Sequence, residues 1–171
     1  MVSPRAPLQL PGMQGFHWYL VPRVGHPDPG TFNASLDALA NLHDELWERT
    51  GISPEQTVLG GFSMGTVMSY ALGLSGSRPA PAGILAFSGF IPTVDGWQPS
   101  LHDRAMLGTF IAHGSRDPVI GIEFAHRARE LLSGAGLPVE YHEHQLGHQV
   151  VPEHLDAARA WLEATLGAGS A

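Results

Sequence analysis

Residues 60–65 read Gly-Gly-Phe-Ser-Met-Gly. They follow the apolar run Thr57-Val58-Leu59 and lead into a helix-like stretch over 66–74. A serine with a glycine two positions before it and another two positions after it, set between a strand and a helix, demands a sharp turn. Small residues at Gly61 and Gly65 are expected to let strand and helix pack closely around a strained backbone. The serine then projects above the sheet edge. The start of the new helix offers free N–H groups and the positive end of its dipole to the serine oxygen. This is the G-x-S-x-G pattern of a nucleophile elbow, with Ser63 at its apex. A chain with 21 glycines produces such a string by chance, so an ordinary tight turn is the competing reading.

Two later segments bear on that choice. Residues 108–119 form an apolar strand ending in a polar turn that carries Asp117 and Pro118. Residues 139–144 are strand-like and are followed by Gly147 and His148. The chain order Ser63, Asp117, His148 is the Ser…Asp…His order of an α/β-hydrolase. A serine hydroxyl is unreactive until a base within hydrogen-bond reach takes its proton. His148 is the candidate base, and then the acid toward the leaving group. Asp117 is the candidate for holding the imidazole tautomer and stabilising the imidazolium. Asp117-Pro118 also resembles a helix entry, so N-capping is its rival role. Asp95 and Asp103 are rival carboxylates in the connection 88–104. The backbone N–H of Met64 is the assignable oxyanion donor.

The 171 residues are 43% hydrophobic, which fits a single domain over 1–171 with a real core. There is no cysteine, so thiolate metal sites, disulfides and a cysteine nucleophile are excluded. Net charge is −7, and every one of the nine basic residues is arginine. No basic stripe exists, which argues against a nucleic-acid partner. No apolar run is long enough to span a bilayer, and no signal-peptide pattern opens the chain. Cytoplasmic location is the expectation. An arginine-only basic set in an Ala-, Gly- and Pro-rich chain points to a bacterium with a GC-rich genome.

The remaining pattern alternates strands with helices. A short strand is expected within residues 1–10, broken by Pro4 and Pro7, then a Pro/Gly loop over 11–30. A helix over 31–50 places Leu36, Leu39, Ala40, His43, Leu46 and Trp47 on one face, and Gly51 ends it. Strands are expected at 56–59, 84–87, 106–112 and 139–144, and helices at 64–74, 123–132 and 153–166. Such alternation implies a mostly parallel sheet flanked by helices. His142 and His144, two apart on a strand, share a face. No third ligand stands at a zinc spacing, so no metal and no cofactor are expected. Most other histidines are expected at the surface.

On these residues the chain resembles the phospholipase/carboxylesterase family of α/β-hydrolases, which includes the acyl-protein thioesterases. The matching stretches are Ser3-Pro4-Arg5-Ala6-Pro7, Gly61-Phe62-Ser63-Met64-Gly65, His113-Gly114-Ser115-Arg116-Asp117-Pro118-Val119 and Gly147-His148, spread over residues 1 to about 166. The resemblance implies ester or thioester hydrolysis with Ser63, Asp117 and His148 as triad. It also exposes a departure. The family places a strand and a His-Gly-x-Gly-like loop ahead of the S-P-R-A-P segment, and that loop supplies a second oxyanion N–H. Here Met1 falls almost on the strand after it, and His113-Gly114 belongs to the aspartate turn instead. The expectation is an N-terminally truncated fold with an empty position beside the elbow strand. Three outcomes stay open: segment 1–10 shifts inward to pair with 57–59, a second copy of the chain fills or covers the gap, or the reading frame is a piece of a longer protein. Self-association is the favoured one, so the chain is expected to be a homo-oligomer.

The ends of strands in an open α/β sheet line its crevice, which nominates Phe90, Ile91, Val119 and Ile120 as substrate-binding residues. Phe16 and Trp18 match the family's loop after S-P-R-A-P. Ordinary core packing is the alternative for each. The connection 88–104 is too short for a cap domain, so the cleft should be open and shallow. Together these features point to a serine carboxylesterase acting on short- to medium-chain acyl esters, thioesters included, through an acyl-enzyme on Ser63. The alternative is a weakly active or non-catalytic relative that serves as an acyl-binding or interaction module.

Overall fold

The structure, a computed structural model, describes residues 1–12 and 14–168. Helix α1 (Pro29–Thr50) precedes β1 (Val58–Phe62), α2 (Met64–Gly73), β2 (Gly83–Phe87), β3 (Gly108–Gly114), α3 (Ile122–Gly134), β4 (Val139–His144) and α4 (Pro152–Ala168). The strands form one sheet in the order β1-β2-β3-β4, and each neighbouring pair is parallel.

The faces of the sheet follow from alternation along each strand. Ile84, Ala86 and Ile111 point to the larger core, with Leu39 of α1, Val67 and Met68 of α2, and Ala125 and Leu132 of α3. Leu85, Phe87, Phe110 and Ala112 point the other way, toward Ala157, Ala158 and Trp161 of α4. Trp161 lies so close to the sheet that a Cβ on Gly83 would come within 2.5 Å of its ring. Small residues on β2 and β3 therefore set the distance at which α4 packs.

Helix α1 starts where the Asp28 side chain accepts the Thr31 N–H at 2.9 Å. It ends at Gly51, whose φ of 68° is a left-handed cap conformation. Strand β1 starts later than expected and runs through Gly60 and Gly61 to Phe62. The intrinsic weakness of glycine in a strand is overridden by pairing with β2, where Gly60 faces Leu85 and Gly61 faces Ala86.

The N-terminal expectation is corrected. Segment 1–10 forms no strand and does not pair with 57–59. It makes one isolated antiparallel bridge, Leu8 with His17. Pro4 and Pro7 withhold the N–H groups that a ladder through this short segment would need. Among the described residues, β1 is thus paired on one side only. Beside it lies a cavity of about 280 Å³, with Val58–Gly61 along one wall and Val2, Ser3 and Pro4 along another.

Candidate active site

Ser63 sits between β1 and α2 with φ 56° and ψ −120°. Only one other described non-glycine residue, Ser88, has a positive φ. Such a conformation costs about 1–3 kcal/mol and persists only where surrounding contacts over-determine it. Those contacts are on hand. The Ser63 N–H donates to the Phe87 carbonyl at 3.0 Å, and the Ser63 carbonyl accepts from Val67 N–H at 3.2 Å. The buried Thr66 hydroxyl lies 2.5 Å from the Gly61 carbonyl and 2.7 Å from that of Phe87. It also accepts the Phe87 N–H at 3.0 Å. One side chain thereby ties the elbow helix to two strands.

The two glycines of the elbow are not equivalent. A Cβ on Gly61 would lie 2.1 Å from the carbonyl carbon of Gly65, whereas one on Gly65 would meet nothing within 4 Å. The close approach expected at both positions holds for Gly61 alone. Gly89, after β2, completes the crowding: its Cβ would fall 2.4 Å from the Thr66 side chain.

Asp117 follows β3 and uses its two oxygens differently. Its Oδ1 accepts the N–H groups of Val119 at 2.8 Å and Ile120 at 2.9 Å. Its Oδ2 lies 2.6 Å from Nδ1 of His148. The turn-capping role and the histidine-holding role, rivals in the sequence, coexist on one carboxylate. The cap is local, because α3 itself begins after Gly121. Burial opposes the charge on Asp117, but the Ile120 N–H, the His148 ring and the Val119 N–H outweigh it and hold its pKa below the usual carboxylate value.

His148 reaches Asp117 because the loops after β3 and β4 are laced together. Ser115 N–H donates to the His144 carbonyl at 2.7 Å, and Arg116 N–H to that of Leu146 at 3.1 Å. A Cβ on Gly114 would stand 2.3 Å from the Gly147 carbonyl, so only glycine permits the approach. The imidazole also rests against the ring of Phe62, at 4.7 Å between centroids, next to Ser63 in the chain. With Nδ1–H given to the carboxylate, Nε2 is the nitrogen left to accept a proton.

His113, on β3 beneath this pair, is 1% exposed. Its Nε2 lies 2.8 Å from the Ile120 carbonyl and 3.5 Å from Asp117 Oδ2. His154 is 6% exposed and packs its ring 4.8 Å from His144 and 5.9 Å from His142. Both are buried exceptions to the expectation that most of the other histidines lie at the surface. His142 and His144 do share a face, and it is turned toward α4. Among the described residues, no group of three or more His, Asp or Glu side chains is arranged to hold a metal ion.

The other nominated residues spread over several environments. Met64 opens α2, where its N–H has no intrahelical acceptor. Val119 is 53% exposed beside Asp117, while Phe90 and Ile120 are buried at 4% each. Phe90 packs on Phe124 at 5.3 Å. Ile91 lines a separate groove of about 690 Å³ near Trp97 and Phe124. Trp18 lines the cavity beside β1. Phe16 is exposed and stacks under the Arg5 guanidinium at 4.7 Å. The rival carboxylates lie outside this arrangement: Asp95 is exposed, and Asp103 contacts Ser100 and Arg104. Sequence reading missed Thr66, Phe62 and His113 as contributors. Phe62 and His113 carried a signal, since each lies inside a matched stretch, 61–65 and 113–119, whereas Thr66 lies outside both.

A parallel sheet flanked by helices, with a strained serine on the turn from β1 to α2 and a carboxylate–imidazole pair on the loops after β3 and β4, fits the α/β-hydrolase class. The crystal structure of the Bacillus cereus carboxylesterase superposes with a TM-score of 0.80 at 22% identity, covering 94% of this chain and 73% of that one. Esterase PE8 superposes at 0.78 with 26% identity, covering 96% and 78%. Among curated relatives, acyl-protein thioesterase 1 of Gibberella zeae is 35% identical over 183 residues, 96% of this chain and 76% of its own length. The Phospholipase/Carboxylesterase family profile matches residues 1–166, and the chain belongs to that family. It is a carboxylic ester hydrolase.

Proposed function

We propose that this chain hydrolyses short- to medium-chain acyl esters, thioesters included, through an acyl-enzyme on Ser63 Oγ. The observation that carries the reading is the 2.6 Å contact between Asp117 Oδ2 and His148 Nδ1, which leaves Nε2 as the base. His148 Nε2 takes the Ser63 proton as Oγ bonds to the acyl carbon, and the carbonyl π pair moves onto oxygen. The Met64 N–H, at the positive end of α2, stabilises that oxyanion. The tetrahedral intermediate collapses, the leaving alcohol or thiol takes the proton from Nε2, and the acyl group stays on Oγ. Water then repeats the sequence and releases the carboxylic acid. The route uses no cofactor.

Thioesters enter because relatives carry the name acyl-protein thioesterase. Phe62 and Val119, chain neighbours of Ser63 and the 117 turn, are exposed at 40% and 53%, which supports an open, shallow cleft for acyl groups of modest length. The test is hydrolysis of p-nitrophenyl acetate and butyrate by wild type and Ser63→Ala, with a fluorophosphonate probe. Turnover and labelling that vanish together in Ser63→Ala support the proposal. A folded protein with neither overturns it.

The same reading covers assembly and location. The chain acts as one domain and self-associates through the face that carries the one-sided edge of β1 and its adjoining cavity. A monomer by light scattering across a broad concentration range would overturn this. A bacterial cytoplasm is the proposed setting, supported by the arginine-only, cysteine-free composition. No described helix is long and apolar enough to cross a membrane.

A further inference from the structure

His113 near the end of β3 and Asp117 in the turn after it are four residues apart, and their contacts form a closed set. His113 Nε2 lies 2.8 Å from the Ile120 carbonyl. A carbonyl only accepts, so Nε2 carries the proton. The N–H of the same residue, Ile120, donates to Asp117 Oδ1 at 2.9 Å. One peptide segment is therefore held from both sides, by His113 at its carbonyl and by Asp117 at its N–H. The His113 Nε2 also stands 3.5 Å from Asp117 Oδ2, the oxygen that receives His148. The other ring nitrogen of His113, Nδ1, is buried with no partner. Protonating the ring would strand a donor there, so the site accepts the neutral Nε2–H tautomer. Burial pushes the same way, holding His113 below the ordinary histidine value.

We propose that His113 is a positioning residue for the reaction: through its Nε2–H it pins the 117–120 turn and so fixes Asp117 Oδ2 on His148 Nδ1. The inference rests on the catalytic reading of Ser63, His148 and Asp117. Without the pin, the Ile120 carbonyl is left buried without its donor, the turn loosens, and the two N–H groups that orient Asp117 drift. His148 then loses the geometry, not the identity, of its partner. Displacements of this kind cost about 10- to 10²-fold in rate. Ser63 and the Met64 N–H lie outside the turn, so the loss falls chiefly on kcat, and Val119, which moves with the turn, adds only a smaller change in KM.

The titratable groups facing His113 are Asp117, His144 and His148.

The test compares His113→Gln, His113→Asn and His113→Leu with wild type, alongside Asp117→Asn and His148→Ala as controls. A glutamine amide reaches the place of Nε2, and an asparagine amide reaches only that of Nδ1. The expected result is kcat within about threefold of wild type for Gln and about 10- to 10²-fold lower for Asn and Leu, with KM little changed. If folded Asn and Leu variants keep wild-type kcat while the controls collapse, the His113 inference is overturned and the catalytic reading stands. Equal losses in Gln and Asn also overturn it, since the Nε2–H would then not be what matters. If Leu fails to fold, the Gln–Asn pair decides alone. If the controls themselves keep full activity, the catalytic reading fails, separately from the His113 claim.

Discussion

Asp117 and His148 meet at 2.6 Å although 31 residues separate them in the chain. The contact is built from below. The carboxylate is anchored by two backbone N–H groups of its own turn, and the imidazole rests on a loop hydrogen-bonded to that turn. Asp117→Asn keeps the shape and removes the charge. An amide presented to Nδ1 favours the wrong imidazole tautomer. Ester turnover is expected to fall about 10³- to 10⁴-fold, with KM little affected. Steady-state kinetics on p-nitrophenyl butyrate check this.

The elbow glycines should respond unequally to alanine. At Gly61 the new methyl would lie 2.1 Å from backbone that cannot give way, so Gly61→Ala is expected to cost about 2 kcal/mol or more and to disturb Ser63. Gly65→Ala has open space and removes a flexible residue from the first turn of α2, so its folding stability should equal or exceed wild type. Denaturant unfolding of the two variants side by side decides the matter.

Thr66→Val removes the hydroxyl that bonds Gly61, Phe87 N–H and Phe87 carbonyl, all in a buried position. Shape is conserved while polar partners lose their mate, so a loss of about 1–3 kcal/mol is expected. Because those bonds hold the turn at Ser63, fluorophosphonate labelling should slow as well. A variant as stable and as reactive as wild type would contradict the role given to Thr66.

Stability should fall in mild acid. Burial is the main cause that depresses His113 and His154 below their ordinary value of 6.5, and neighbouring imidazoles add to it. In the unfolded chain these groups take up protons near pH 6.5, while in the folded chain they do so only at lower pH. Below about pH 6.5 the unfolded state therefore binds more protons, and stability declines until the folded values are reached. Asp117 adds a second decline. Its folded pKa is below 3.8, so its contribution is intact above that pH and is lost as pH falls through the folded value. Melting temperature against pH should show both falls, and His154→Gln should flatten the first.

Much of the site was legible because its signals are local. G-x-S-x-G between an apolar run and a helix states a turn within a handful of residues. The expected helices and the strands at 84–87 and 139–144 follow from periodicity, and the observed elements match them closely. In segment 1–10 the apolar residues suggest a strand, but Pro4 and Pro7 deny it the N–H groups of a ladder, and only the Leu8–His17 bridge forms. The interior places of His113 and His154 were not legible, since nothing adjacent to either residue marks the face on which it lands.

The sequence by itself determined the strand-and-helix alternation, the elbow around Ser63 and the chain order of the proposed nucleophile, carboxylate and imidazole. Each of these depends on interactions between residues close along the chain. Only the tertiary structure decided that Asp117 caps its turn and binds His148 at once, that Gly61 and not Gly65 is the crowded glycine, and that His113 stands beneath the carboxylate. It also decided that β1 is paired on one side among the described residues. These are matters of distance between segments far apart in sequence, fixed by how the loops after β3 and β4 lace together and how closely α2 and α4 approach the sheet.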